Sequence, residues 1–169
     1  RTSQAYSRFW EGCTNMHRMG AEWYDACAAL IAFTKYSNKS ITEVMKFQNI
    51  LVRLFSMLHS SACGEIEESG MGYEHINTRM GAFDMELIDA QSFSDDCLLS
   101  VQNSDAKTEM IMQWIQQFIV ANIKTQILSI PPPLLSRSFQ ELGTGLVHFK
   151  EAMKIANVPF PFPYAQTCD

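Results

Sequence analysis

Apolar residues recur along the chain at spacings of three and four, the pattern of helices that bury one face, and four such runs divide the sequence. In the first, Tyr6, Phe9, Cys13, Met16, Gly20, Trp23, Cys27 and Leu30 alternate by three and four, which predicts one long helix over 4–36 with a narrow apolar seam. Arg8, Glu11, Arg18, Glu22 and Asp25 fall off that seam and read as a solvated face. Ser37, Asn38 and Lys39 break the pattern. Ser40 and Glu43 then form an S-x-x-E capping box ahead of a second helix over 41–60, whose stripe is Ile41, Val44, Leu51, Leu54, Phe55 and Leu58. The third helix, over 105–127, is capped by Ser104 or Asp105 and runs through Met110, Trp114, Phe118, Ala121 and Leu128. The fourth opens on Pro131, Pro132 and Pro133, since first-turn N–H groups have no intrahelical partner to lose. It continues over 132–157 with Leu135, Phe139, Leu142, Leu146, Phe149, Met153 and Ala156 on one face.

Between these runs the pattern lapses. Gly64, Gly70, Gly72 and Gly81 punctuate residues 64–81, with Glu65, Glu67 and Glu68 among them, and this reads as a solvated acidic loop without the ligand spacing of a calcium loop. Residues 84–89 read as a short strand or turn, and Ser94, Asp95 and Asp96 as a helix N-terminus continuing through 97–101. Gly143 and Gly145 weaken the fourth helix by roughly 1 kcal/mol each relative to Ala, which is read as close packing against a neighbour. Pro159, Pro161 and Pro163 cannot extend that helix, so 158–164 should be extended. The expected fold is all-α, a single domain of long helices packed side by side.

Composition narrows the function more than the fold. A net charge of −5 with 13 basic residues gives no broad cationic field, which argues against nucleic acid as a partner. The five cysteines, Cys13, Cys27, Cys63, Cys97 and Cys168, show no CxxC spacing, so free thiols in a reducing compartment are expected rather than a disulfide framework or zinc site. The most apolar stretch, 110–130, carries Gln113, Gln116, Gln117, Asn122, Lys124 and Gln126, and is amphipathic rather than membrane-spanning. Arg1-Thr2-Ser3-Gln4 has no apolar signal region, so the chain is either cytosolic or a piece cut from something longer.

No catalytic signature emerges. His17, His59, His75 and His148 lie on separate predicted elements, HExxH and GxSxG are absent, and Gly70-Met71-Gly72 lacks the helix-opening glycine of a nucleotide site. No metal site, cofactor site or enzyme activity is expected, although a Cys-His pair assembled by the fold stays open at this point.

Two stretches resemble a known family. RTSQAYSRFWEG, over 1–12, is similar to the R-T-x-x-A-Y-x-R-[WF]-W-E-[GA] signature of the bestrophin family of pentameric anion channels. IPPPLLSRSFQELGTGL, followed by KIANVPFPFPYAQ, resembles the segment leading into that family's third membrane helix. The resemblance implies the water-exposed helical region between the second and third membrane helices of a longer channel subunit, on the cytosolic or stromal face of a membrane. It implies chloride or other small anions as the permeant partner, a homo-pentamer, and membrane attachment through helices outside this chain. It also places the pore's cytosolic aperture at Pro133, and makes Arg8, Trp10 and Glu141 structural positions of the family signature. The missing segments include the family's acidic calcium clasp. At Pro133 two readings stand together, a helix starter and an aperture fringed by helix N-termini. A non-conducting soluble scaffold derived from the same family is the alternative function.

Overall fold

A computed structural model of the protein describes residues 2–70, 99–101 and 103–158. Four long helices carry the fold among the described residues: α1 (Thr2–Phe33), α2 (Ile41–Gly70), α3 (Lys107–Lys124) and α4 (Pro132–Asn157), with a 3-10 turn, Thr34–Tyr36, after α1. No strand occurs among the described residues, and the fold is all-α. The predicted strand or turn at 84–89, the helix start at 94–96 and the extended run beyond Val158 lie outside the described residues.

Neighbours in sequence run antiparallel. Thr34 meets Gln48, and Gly20 meets His59, across α1 and α2. Glu65 reaches Thr108 across α2 and α3, and Lys150 pairs with Glu109 across α3 and α4. The most extensive packing joins the first helix to the last, where Arg8 meets Ile155 and Trp23 meets Leu142. Helices α2 and α4 also touch, through Ser69 and Met153, so α1 and α3 lie on opposite sides of a flattened up-down-up-down bundle.

The capping box forms as its spacing predicts. The Glu43 N–H donates to Ser40 Oγ at 3.4 Å, while Glu43 Oε2 accepts the Ser40 hydroxyl at 2.7 Å and the Ser40 N–H at 3.1 Å, and these last two bonds hold the Glu43 carboxyl below its ordinary range. Five α2 stripe positions are buried, but Ile41 is exposed and Phe47, absent from the predicted stripe, stacks on Phe118 at 5.2 Å. In α4 the helix bounds match the prediction, and the buried line is Leu135, Ser138, Leu142, Gly145, Phe149 and Ala152.

Three expectations need correction. The α1 seam is rotated: Asn15, Met19, Trp23, Ala26 and Leu30 are buried, while Tyr6, Phe9 and Met16 are exposed and Cys13 and Cys27 half-buried. A strict heptad spacing drifts by about 20° per heptad around a straight helix, so a seam that is buried at Leu30 and Trp23 has left the core by Phe9 and Tyr6. The same one-position offset appears in α3, where Ile111, Ile115 and Ile119 are buried, Met110, Trp114 and Phe118 flank them, and Ala121 is exposed.

Second, α2 continues through Gly70, and the first third of the expected acidic loop is helix. Ala62 and Gly64 are buried against the bundle. Glu65 is half-buried and accepts both the Thr108 N–H, at 2.8 Å, and the Thr108 hydroxyl, at 3.0 Å. It thereby caps the start of α3 from a neighbouring helix, and Glu68 pairs with Lys107 at 3.9 Å. Tertiary contacts of this kind outweigh the weak helix propensity of Gly and Ser. Third, α3 starts at Lys107 without a side-chain cap of its own, because Ser104 Oγ is taken by the Ala106 N–H at 3.2 Å. It stops at Lys124 through a Schellman turn: Gln126 adopts φ 64°, its N–H meets the Ile123 carbonyl, and the Ile127 N–H meets that of Asn122.

The two glycines of α4 part company. A Cβ on Gly145 would sit 2.3 Å from Trp23 Nε1, whereas one on Gly143 would meet nothing within 4 Å. Close packing therefore accounts for Gly145 alone. Gly143→Ala is expected to stabilise the fold by about 0.5–1 kcal/mol through helix propensity. Gly145→Ala should cost about 2 kcal/mol or more by forcing the indole aside. Urea unfolding of the two variants checks both, and equal effects of the same sign would refute the assignment.

Candidate functional site

The residues singled out from sequence occupy three places along the α1–α4 pair. Pro133 lies at the start of α4. Pro131 is the N-cap residue, with φ −57° and ψ 138°, and Pro132 and Pro133 fill the first two helical positions. Residues 131–134 are all exposed, Leu134 at 52%. Prolines carry no N–H, and the next one, that of Leu134, donates to the Pro131 carbonyl at 3.1 Å. This end of the helix keeps its dipole but has lost the open donors that an ordinary N-terminus turns toward an anion. Ser136 Oγ closes the Pro133 carbonyl at 2.7 Å. The result is an apolar, donor-poor tip.

Arg8 and Trp10 lie at the other end of the bundle, separated from the proline tip by the length of α4, about 39 Å. The Arg8 guanidinium donates to the carbonyl oxygens of Ile155 at 2.7 Å and Val158 at 2.8 Å, tying the first turns of α1 to the last carbonyls of α4. A cation suits that negative end of the helix dipole. Arg8 is therefore no solvated decoration of the surface. Around it Tyr6, Phe9 and Trp10 are 64%, 63% and 52% exposed, with Trp10 edge-on to both other rings at 5.9 Å.

Glu141 sits between the two ends, facing α1. Arg137 Nε lies 3.3 Å from its Oε1 and Arg137 Nη2 lies 3.6 Å from Asp25 Oδ2 of α1, and the Glu22 carboxyl is pushed up first by its neighbour Glu141 and then by burial. Glu22, read from sequence as solvated, is half-buried here. The Arg137–Asp25 pair, between the first and last helices, could not be found by spacing within either one.

Among the described residues the Cys-His possibility has one candidate. Cys63 Sγ lies 3.9 Å from Nδ1 and 4.0 Å from Nε2 of His59, one turn back on α2, a spacing of four that was legible in the sequence. Burial pushes the Cys63 thiol up and the His59 imidazole down, so both groups are held neutral, the reverse of a thiolate–imidazolium pair. Burial also pushes Cys27 up to about 11. Among the described residues no group of three or more His, Cys, Asp or Glu side chains could hold a metal ion. Two open surface grooves, about 370 and 320 Å³, each follow a single helix: one along Thr42, Met45 and Arg53 of α2, the other along Leu146, Val147 and Lys154 of α4. No helix among the described residues is long and apolar enough to cross a membrane.

The neutral Cys63–His59 pair has a direct consequence. At pH 7.5 iodoacetamide should alkylate Cys27 and Cys63 more slowly than an unstructured cysteine, as read by mass spectrometry of timed samples. A Cys63 that reacts many-fold faster than an unstructured thiol would reveal an activated nucleophile and revive an enzymatic reading.

Compared with known proteins, the chain matches no protein-family model, no curated sequence and no solved structure.

Proposed function

We propose that the chain is the extramembrane part of a bestrophin-like anion-channel subunit, acting by passive conduction rather than catalysis. One observation carries the reading beyond the two sequence stretches. The antiparallel α1–α4 pair brings the first turns of α1 and the last turn of α4 to one end of the bundle, tied there by Arg8. A domain held to a membrane through segments on both sides of it needs that arrangement. Tyr6, Phe9 and Trp10 are exposed at the same end, and amphipathic aromatic rings suit the headgroup level of a bilayer. The proline tip then lies about 39 Å deeper in water, where a second constriction remote from the membrane would be.

In this reading five copies ring an aqueous path and their α4 tips converge on it. Pro131, Pro132, Pro133 and Leu134 give such a collar an apolar rim without free N–H donors. Selection there would follow from width and from the cost of stripping water off an anion, with the residual dipole of five helix N-termini favouring negative charge. Chloride and other small anions are the proposed cargo. A homo-pentamer on the cytosolic or stromal face of the membrane is the proposed state. Arg8 and Trp10 serve the packing near the membrane, and Glu141 the α1–α4 seam.

The test uses the complete subunit reconstituted in planar bilayers. Pro133→Ala should widen the rim and shift relative anion permeability while leaving folding nearly intact, because a first-turn proline adds no ladder hydrogen bond. Pro133→Glu should depress anion current further by setting a ring of negative charge in the path. Unchanged permeability ratios and conductance in both variants would leave the prolines as helix starters only.

A further inference from the structure

The outer face of the first turns of α1 is apolar and uncovered. Successive residues turn by about 100° around a helix, so with Arg8 bonded to α4, Phe9 lies about a quarter turn away and Tyr6 and Trp10 fall on the far side. All three rings are more than half exposed, and Trp10 stands edge-on to both others at 5.9 Å. An aromatic side chain buries about 150–250 Å² when it is packed. The three together therefore leave roughly 300–400 Å² of contiguous ring surface open, the size of patch that marks a contact site. A stable pairing of two copies needs about 800 Å² from each. The patch suits a short segment better than a second copy.

The chain supplies such a segment beside the patch. Arg8 donates to the Val158 carbonyl at 2.8 Å, so the chain leaves α4 next to Phe9. Val158 is extended, with φ −91° and ψ 109°, and itself half exposed. After it the sequence reads Pro159-Phe160-Pro161-Phe162-Pro163-Tyr164, with no charged side chain before Asp169. These residues lie outside the described ones, and their sequence carries the argument. Proline fixes φ near −65° and favours a polyproline II path that rises about 3.1 Å per residue. Proline-rich segments on such a path dock on surfaces lined by aromatic rings, because the preformed backbone loses little freedom on binding.

We propose that the run 159–164 docks on the Tyr6–Phe9–Trp10 patch of its own chain, with Phe160 against Phe9 and Phe162 against the Tyr6–Trp10 pair. The reach is sufficient. Phe160 and Phe162 stand about 6 and 12 Å beyond Val158 on that path. Half the circumference of a helix about 10–12 Å across is about 17 Å, and the Phe162 side chain covers the remainder. Arg8 then acts as the anchor that sets where the run begins. The docking also gives a purpose to three large rings on the side of α1 away from its buried line of Asn15, Met19 and Trp23. It does not rest on the channel reading, since the rings and the run belong to one chain whether or not a bilayer lies at that end.

NMR of the 169-residue chain in lipid-free buffer tests it. Nuclear Overhauser contacts are expected from the Phe160 and Phe162 rings to Phe9 and Trp10 within one molecule. Their absence, or their appearance only between differently labelled copies, overturns the proposal. A Phe160→Ala/Phe162→Ala double variant changes no described residue. It should raise the relaxation of the Trp10 indole N–H by a water-soluble paramagnetic agent several-fold, while Trp23 and Trp114 keep their values. A Trp10 that is equally accessible in both chains, or that stays covered after both phenyl rings are removed, also overturns it. Should the variant not fold, the contacts in the unaltered chain decide.

Discussion

Trp23 cannot be where it is unless residue 145 has no side chain. The indole is 2% exposed, lies across Gly145 and donates to the Leu142 carbonyl at 3.3 Å, while its other side meets His59 of α2 edge-on. One ring thus joins three helices. A glycine in mid-helix costs about 1 kcal/mol in propensity, and here the cost is offset by letting the first and last helices approach closely over a buried aromatic. That approach sets the antiparallel register of α1 and α4. With the register fixed, Arg8 reaches the last carbonyls of α4, Arg137 reaches Asp25, and the proline tip is carried to the far end.

Much of this bundle was legible because its helices follow simple rules. The capping box at Ser40 and Glu43, the proline start of α4 and the three-four spacings gave four helices, and the bounds of α4 agree with the structure. What failed was the rotation of faces. Tyr6 and Phe9 match a helical seam as well as Met19 and Ala26 do, and periodicity alone does not say which side the partner occupies. The end of α2 failed for a different reason. Residues 61–70 are rich in Gly, Ser and Glu, a loop composition, yet Glu65 finds the Thr108 N–H more than forty positions away and the helix persists. A cap supplied by another helix leaves no local signal.

The functional residues divide in the same way. Pro133 and the aromatic cluster near Arg8 are visible as composition, since three consecutive prolines and four near-adjacent aromatic or cationic residues stand out in any window. Their relation is not visible. That the two groups sit at opposite ends of one helix pair, and that the prolines remove the donors an anion would use, follows only from the register and from the Leu134–Pro131 bond. An aperture fringed by ordinary helix N-termini would offer unpaired N–H groups, and this tip has none among its first three helical residues. The Asp25–Arg137 pair lay deeper still, because each residue taken singly looks like surface charge.

The dependence of the whole arrangement on one ring and one missing side chain is best measured with a double-mutant cycle at Trp23 and Gly145. Trp23→Leu alone should cost about 3 kcal/mol as a buried truncation, and Gly145→Ala alone about 2 kcal/mol as an overpacked contact. Once Leu replaces the indole, Gly145→Ala should become neutral or stabilising, giving a coupling of about 2 kcal/mol in urea unfolding. Costs that simply add would contradict the account, since Gly145 would then matter for something other than the passage of Trp23.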